Sequence, residues 1–201
     1  MKHPPPSQSL VHYRSPGHLS FGRDTALVVA GSLALAASAQ ITVPMLPVPM
    51  TMQSCALLLI SAMYGCRLAT ATVIAYLIEG AAGLPVFAGG AGGIAYLAGP
   101  TAGFLAGFLM AAALIGHLFD RGAGRNGLHA LLALTAGHCL LFVPGMGWLS
   151  TFIGWEAAWT KGVLPFVAGT IVKTLLAFTV LLALRRIGSQ WIATSEGDGH
   201  E

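Results

Sequence analysis

The chain has 201 residues, of which 55% are hydrophobic and only 8% are charged, with a formal net charge of +3. Soluble domains carry about 25% charged residues, so this composition excludes an ordinary soluble protein and predicts an integral membrane protein. The basic residues form no stripe with interleaved aromatic residues, which argues against nucleic-acid binding.

Three regions are expected along the chain. Residues 1–22 are polar and rich in proline, which predicts a disordered cytoplasmic segment. Residues 23–187 are expected to form one helical transmembrane domain, and residues 188–201 a cytoplasmic tail. Since a span needs about 20 apolar residues, the length predicts about six transmembrane helices and no second, soluble domain.

The predicted spans follow the apolar segments in order. They are residues 24–41, 51–64, 68–82, 100–119, 128–143 and 163–184. A cleaved secretory signal ending at Ala37-Ser38-Ala39 is the alternative interpretation of the first span. A proline-spaced loop follows the first span, and a Gly-rich connection occupies residues 83–99. Residues 144–162 are expected to be a loop that carries Trp148, Trp155 and Trp159.

The positions of arginine and lysine predict the orientation. Cytoplasmic loops are enriched in these residues. With both termini in the cytoplasm, six spans place on that side Lys2, Arg14, Arg23, Arg67, Arg121, Arg125, Arg185 and Arg186. Only Lys161 then faces outward. The proline-spaced loop, the Gly-rich connection and the Trp loop all lie on the outer face in this arrangement, which predicts a binding site open to the outside.

The Gly-rich break between Gly80 and Gly107 reads GAAGLPVFAGGAGGIAYLAGPTAGFLAG. Backbone without helical hydrogen bonds is tolerated at membrane depth only where protein buries it or where it lines a polar cavity. A ligand cavity and a tight re-entrant turn without a ligand are both consistent with the pattern.

Two ionisable residues, Glu79 and Lys173, lie inside predicted spans. Each costs about 2.5 to 3.5 kcal/mol at the bilayer centre, so each needs a partner or a function. They either pair with each other, or Lys173 supplies a cation for an anionic ligand and Glu79 a hydrogen-bond acceptor. Helical spacing places Gly169 and Thr170 on the same face as Lys173.

Other residues carry weaker signals. His117 and His138 are not part of an HExxH or GxSxG motif, so no enzyme is expected. The cysteines form no CxxC pair, so no metal site is expected. The three loop tryptophans form either an interfacial belt or a wall over a ligand ring. Alanines recur at every fourth residue of the first span, a spacing that allows close helix packing, at Ala26, Ala30 and Ala34.

Several motifs together resemble the BioY family, the biotin-binding S components of energy-coupling factor (ECF) transporters. They are VPMTMQ, GAAGLPVFAGGAGG, YLAGPTAGFLAGF and the glycine and lysine of the last span. The resemblance covers about residues 30–183. It implies a six-helix, S-component-like bundle in the bacterial inner membrane that captures biotin from outside and is not an enzyme.

The resemblance also implies partners. An S component acts with a transmembrane coupling protein and two ATPase subunits, so ATP is used only by the partners and no cofactor is expected on this chain. Ala30 and Ala34 resemble the AxxxA face that contacts the coupling protein. Transport by this chain alone, or as a homo-oligomer, stays open.

The site residues implied by the resemblance surround biotin with polar and apolar groups. They are Lys173, Thr170, Glu79, Gln53, Tyr76, Phe87, Gly89, Tyr96 and Trp155. In the family the last helix usually reads G-D-x-x-K, whereas Thr170 follows Gly169 here. We hypothesise that Glu79 takes the place of the missing carboxylate. A second departure is GPTAGF, with Ala102 and Phe104, where the family often has GPTGGY.

Alternative functions follow from these departures. An S component for another small carboxylated vitamin is the first. An intramembrane enzyme that uses Glu79 and His138, and a purely structural membrane subunit, are the others.

Overall fold

The computed structural model describes residues 21–197 of the chain, with side chains up to residue 187. The long helices are α1 (Phe21–Gln40), α2 (Gln53–Ala81), α4 (Ala102–Asp120), α5 (Gly127–Ile153) and α7 (Phe166–Gly197). The short helices are α3 (Ile94–Leu97) and α6 (Trp155–Gly162), and 3-10 turns lie at Ala88–Gly90 and Ala123–Arg125. The strands β1 (Thr42–Val43) and β2 (Met50–Thr51) pair antiparallel. The expectation of an all-helical protein is therefore confirmed apart from this small ribbon.

Four helices of the described chain are long and apolar enough to cross a membrane. They are Gln53–Ala81, Ala102–Asp120, Gly127–Ile153 and Phe166–Ile187. α1 has 20 residues but is not among these four. The predicted disordered segment lies outside the described residues except for Phe21 and Gly22, which begin α1. α7 continues to Gly197, beyond the predicted end of the last span, and residues 198–201 lie outside the described part.

Helix α2 reverses direction at Gly65. The backbone there has φ 75° and ψ 176°, which is not helical. A straight helix would separate residues 53 and 76 by about 34 Å at 1.5 Å per residue, yet the Gln53 Nε2 donates a hydrogen bond to Tyr76 Oη. The two halves, residues 53–64 and 66–81, are therefore antiparallel neighbours, which matches the second and third predicted helices.

Gly65 is required at this reversal for two reasons. Its positive φ is easily adopted only by glycine. A Cβ atom would also lie 2.3 Å from Asp120 Oδ1 at the end of α4. The same carboxylate accepts a hydrogen bond of 3.0 Å from the backbone N–H of Cys66 through Oδ2. Asp120 thus caps the start of the second half of α2, where unpaired N–H groups favour a negative charge.

The prediction that residues 144–162 form a loop is wrong. α5 continues through Pro144 to Ile153, and α6 covers most of the rest, with a break at Gly154, where φ is 80°. Proline ends helices in water, but packed neighbours allow it inside membrane helices. α4 packs closely beside this turn, since a Cβ at Gly103 would lie only 2.4 Å from the Pro144 carbonyl oxygen.

Helix α4 lies at the centre of the fold, packed against both α2 and α5. Gly107 allows the close approach to α5, since a Cβ there would lie 2.5 Å from the Leu141 carbonyl oxygen. Helices without a hydrophobic driving force between them associate through such small residues.

Candidate functional site

A cavity opens between α4, α5, α7 and the segment that leads into α2. It contains about 540 Å³ of empty space, part of which is open to solvent. Half of the residues in its apolar wall are aromatic, namely Tyr96, Phe104, Phe108, Phe142 and Phe166. Its polar side chains are Thr51, Gln53, Ser54, Thr101, His138 and Lys173. An apolar pocket with a few convergent polar groups is the usual form of a small-molecule site.

Among the described residues that line the cavity, Lys173 alone carries a formal charge. Its side chain is only 8% exposed, and Nζ donates a hydrogen bond of 3.1 Å to the carbonyl oxygen of Thr51. An ammonium group has three N–H donors, so two remain for a ligand. The cavity therefore holds a buried positive charge that can complement an anionic molecule.

A chain of hydrogen bonds leads from the cavity to the Gly-rich segment. Thr51 Oγ1 donates to Gln53 Oε1 at 3.1 Å, and Gln53 Nε2 donates to Tyr76 Oη. Tyr76 Oη in turn donates to the Val86 carbonyl oxygen at 3.1 Å. Gln53 thus lies in the cavity wall, whereas Tyr76 is fully buried behind it and holds the next loop.

Phe87 anchors the Gly-rich loop in the protein. It is 1% exposed, stacks on Tyr96 at a centroid distance of 4.9 Å and meets Tyr76 edge-on at 5.4 Å. The Gln40 side chain donates to its carbonyl oxygen at 3.2 Å. Tyr96 and Ala88 line the cavity, whereas Phe87 belongs to the core. The loop is therefore held over the cavity by aromatic packing.

Glu79 and Lys173 are not brought together. Glu79 Oε1 accepts a hydrogen bond of 2.8 Å from Ser32 Oγ on α1, and the cavity lining does not include Glu79. No ion pair between Glu79 and Lys173 occurs among residues 21–187. Glu79 instead connects the second half of α2 to α1. Neither of the two roles expected for Glu79 from the sequence, a pair with Lys173 or a ligand acceptor, includes this contact.

Three other expected site residues lie outside the cavity lining. Thr170 Oγ1 is buried and has no hydrogen-bond partner among the described residues. Trp155 is 65% exposed and lines a separate shallow depression with Glu156 and Thr160. Gly89 is exposed, with φ 69° and open space around it. Trp148 contacts the end of the Gly-rich connection, because its indole N–H donates to the Gly99 carbonyl oxygen at 2.9 Å.

Sequence reasoning missed most of the cavity wall. Ser54, Phe142 and Phe166 lie in no motif, and His138 was considered for catalysis, for metal chemistry or as a hydrogen-bonded helix residue, but not as part of a ligand site. The spacing of Phe104 and Phe108 could have placed both on one face of α4, since residues four apart are helical neighbours. On α1, the predicted partner residues Ala30 and Ala34 are exposed, whereas Gly31, Ser32 and Leu35 face the protein.

Comparisons with known proteins agree with this architecture. The probable biotin transporter BioY of Pyrococcus horikoshii is 36% identical over 167 residues, which cover 83% of this chain and 98% of that protein. The biotin transporter BioY2 of Lactococcus lactis is 35% identical over 162 residues, covering 80% and 88%.

A crystal structure of the S component for biotin from an ECF-type ABC transporter has the same fold. The TM-score is 0.72 at 23% identity, over 84% of this chain and 95% of that one. The model of the BioY family matches residues 11–190. The family predicted from the motifs is confirmed, and the chain belongs to the BioY family.

Proposed function

We propose that this chain captures biotin from the outer side of a bacterial inner membrane and acts as the S component of an ECF transporter. The observation that carries the proposal is the cavity in which Lys173 lies buried beside apolar walls and a few uncharged polar side chains. The names of the curated relatives and the shared fold support the same conclusion.

The chemistry of the cavity suits biotin. Biotin has a fused apolar ring system, an aliphatic chain, a cyclic urea and a carboxylate. The aromatic residues offer apolar walls, and the Lys173 ammonium offers a positive charge and two free donors.

We further propose six membrane crossings, with both termini in the cytoplasm. α1, α4, α5 and α7 would each cross the membrane once. The two halves of α2 would cross separately because the chain reverses at Gly65, which gives six crossings in all. The excess of arginine and lysine in the loops on one side supports this orientation. The substrate-binding domain would then be residues 23–187, between a cytoplasmic lead segment and a cytoplasmic tail.

The proposed partners are a transmembrane coupling protein and two ATPase subunits. The exposed Ala30 and Ala34 form a smooth strip on α1 that another helix can approach closely. Chemical energy would come from ATP bound by the partners, and this chain itself would catalyse no reaction.

The decisive experiment is equilibrium binding of radiolabelled biotin to the purified protein in detergent. Lys173→Ala is expected to weaken binding at least about thirtyfold, because removing one partner of a buried charge pair costs about 2 to 5 kcal/mol. The matched control is Lys161→Ala on α6, where the lysine is exposed and lines no part of the cavity.

Two results would contradict the proposal. A folded, monodisperse parent protein that binds no biotin would shift the search to other carboxylated vitamins. Equal binding by the parent and Lys173→Ala would show that the cavity described above is not the biotin site.

A further inference from the structure

His138 is a second polar residue deep in the cavity wall. It lies on α5, is 1% exposed and lines the cavity with Lys173. Its ring is nearly parallel to that of Phe142, at an interplanar angle of 15° and a centroid distance of 6.4 Å. Its Nδ1 lies 2.7 Å from Thr174 Oγ1 on α7. The imidazole orientation is therefore determined by contacts on two sides.

The hydrogen bonds of Thr174 determine which nitrogen of His138 carries a proton. Thr174 Oγ1 donates its only proton to the carbonyl oxygen of Thr170, at 2.8 Å. With the Thr174 proton assigned to that carbonyl, Oγ1 accepts from His138 and the ring proton is assigned to Nδ1. In the neutral ring the other nitrogen, Nε2, is then an acceptor with a free lone pair.

The surroundings of His138 favour the neutral ring. A buried charge without a partner is costly, and Lys173 already places a positive charge in the same cavity. Nε2 has no hydrogen-bond partner among residues 21–187. The nearby cavity wall also contains Ser54, which is 6% exposed and whose Oγ has no partner within the described chain. Nε2 therefore offers a free acceptor, and the Ser54 hydroxyl a further polar group, to a ligand in the cavity.

We infer that His138 is a specificity-determining residue that accepts a hydrogen bond at Nε2 from a ring N–H of the ligand. The inference rests on the proposed function, because the cyclic urea of biotin presents N–H donors of this kind. It assigns the acceptor in the cavity to α5, whereas Glu79 is engaged with Ser32. Thr174 is a positioning residue, because it acts on the ligand only through the proton that it holds on Nδ1.

Two substitutions separate this role from a structural one. The side-chain amide of an asparagine at position 138 would lie near the position of the histidine Nδ1. The side-chain amide of a glutamine would lie near the position of Nε2. His138→Asn therefore retains a donor for Thr174 but removes the cavity acceptor, whereas His138→Gln retains an acceptor and loses the contact with Thr174. Binding of radiolabelled biotin is expected to weaken at least about tenfold in His138→Asn and less than about threefold in His138→Gln.

Biotinamide, which lacks the carboxylate, tests which end of the ligand is recognised. It is measured by competition with radiolabelled biotin. The loss caused by His138→Asn is expected to be the same for both ligands, because His138 contacts the ring. A loss seen only with biotin would overturn the assignment. Thr174→Val, which has nearly the same shape, is expected to weaken biotin binding about five- to tenfold and serves as the second variant should His138→Asn fail to fold.

The outcomes distinguish this inference from the proposed function. If the parent protein binds biotin and His138→Asn binds as tightly as the parent, or more tightly than His138→Gln, the assignment of His138 is wrong and the proposed function stands. If the parent protein binds no biotin, both fail together. Thermal unfolding of each variant without ligand shows that the comparison is made between folded proteins.

Discussion

The side chain of Lys173 donates a hydrogen bond to the backbone of Thr51, a residue 122 positions earlier in the chain. The contact joins α7 to the ribbon that follows α1. It also orients the ammonium group towards the segment that leads into α2, where Gln53 and Ser54 line the cavity. The cation that the sequence singled out is thus held by a backbone carbonyl within the VPMTMQ motif.

Substitution of Glu79 is expected to change stability more than biotin binding. Glu79→Gln weakens the contact with Ser32 between α1 and α2 but alters no residue of the cavity lining. Affinity for radiolabelled biotin should stay within about threefold of the parent, while the protein loses about 1 kcal/mol or somewhat more of stability.

Ser32→Ala is the matched partner for this test and should give a similar loss in thermal unfolding. A loss of biotin affinity in Glu79→Gln but not in Ser32→Ala would instead support Glu79 as a ligand acceptor.

Removal of the Tyr76 hydroxyl is expected to loosen the Gly-rich loop. Tyr76→Phe leaves Gln53 Nε2 without its acceptor and the Val86 carbonyl without its donor. An unsatisfied buried polar group costs about 1 to 3 kcal/mol, so both thermal stability and the residence time of biotin should fall. The dissociation rate of labelled biotin measures the effect on the loop.

Tyr64→Phe is the control, because the Tyr64 hydroxyl has no hydrogen-bond partner in the described part of the chain. Equal dissociation rates in both variants would contradict a role of Tyr76 in holding the loop.

Enlargement of Gly80 is expected to displace Phe87. A Cβ at this position would lie 1.9 Å from Phe87 Cζ. Gly80→Ala should therefore destabilise the protein by about 1 to 3 kcal/mol, as overpacking of a core does. The midpoint of thermal unfolding in detergent provides the measurement.

The control for Gly80 is another helical glycine with open space. A Cβ added at Gly147 on α5 would meet no described atom within 4 Å, so Gly147→Ala should be neutral or stabilise by up to about 1 kcal/mol. The same loss in both variants would mean that the contact with Phe87 is not the cause.

The reversal of α2 is expected to be the most sensitive backbone position. Gly65→Ala meets both a positive φ and the Asp120 carboxylate, so it should cost about 1 to 3 kcal/mol from the backbone alone and lower the yield of folded protein. Gly22→Ala, on α1 with no described atom within 4 Å of the added Cβ, should fold like the parent. Size-exclusion profiles and unfolding midpoints compare the two, and a folded Gly65→Ala of parental stability would contradict the proposed strain.

The membrane class, the family and the approximate positions of the helices could be predicted from the sequence. Hydropathy is a local property, so apolar segments reveal long helices whatever their partners are. The short Gly65-Cys66-Arg67 punctuation also marked the reversal in α2 correctly. Lys173 was identified for the same local reason, because a charge in an apolar segment is conspicuous by itself.

Tertiary structure decided what local patterns leave open. Pro144 does not end α5 but lies inside it, at a place where α4 packs closely against the helix. Glu79 is committed to Ser32 on a helix 47 positions away, so it leaves the cavity to other residues. The aromatic wall and His138 come from helices that only packing brings together. The rotation of each helix about its axis depends on contacts between distant residues, and such contacts cannot be read from the apolar character of any single segment.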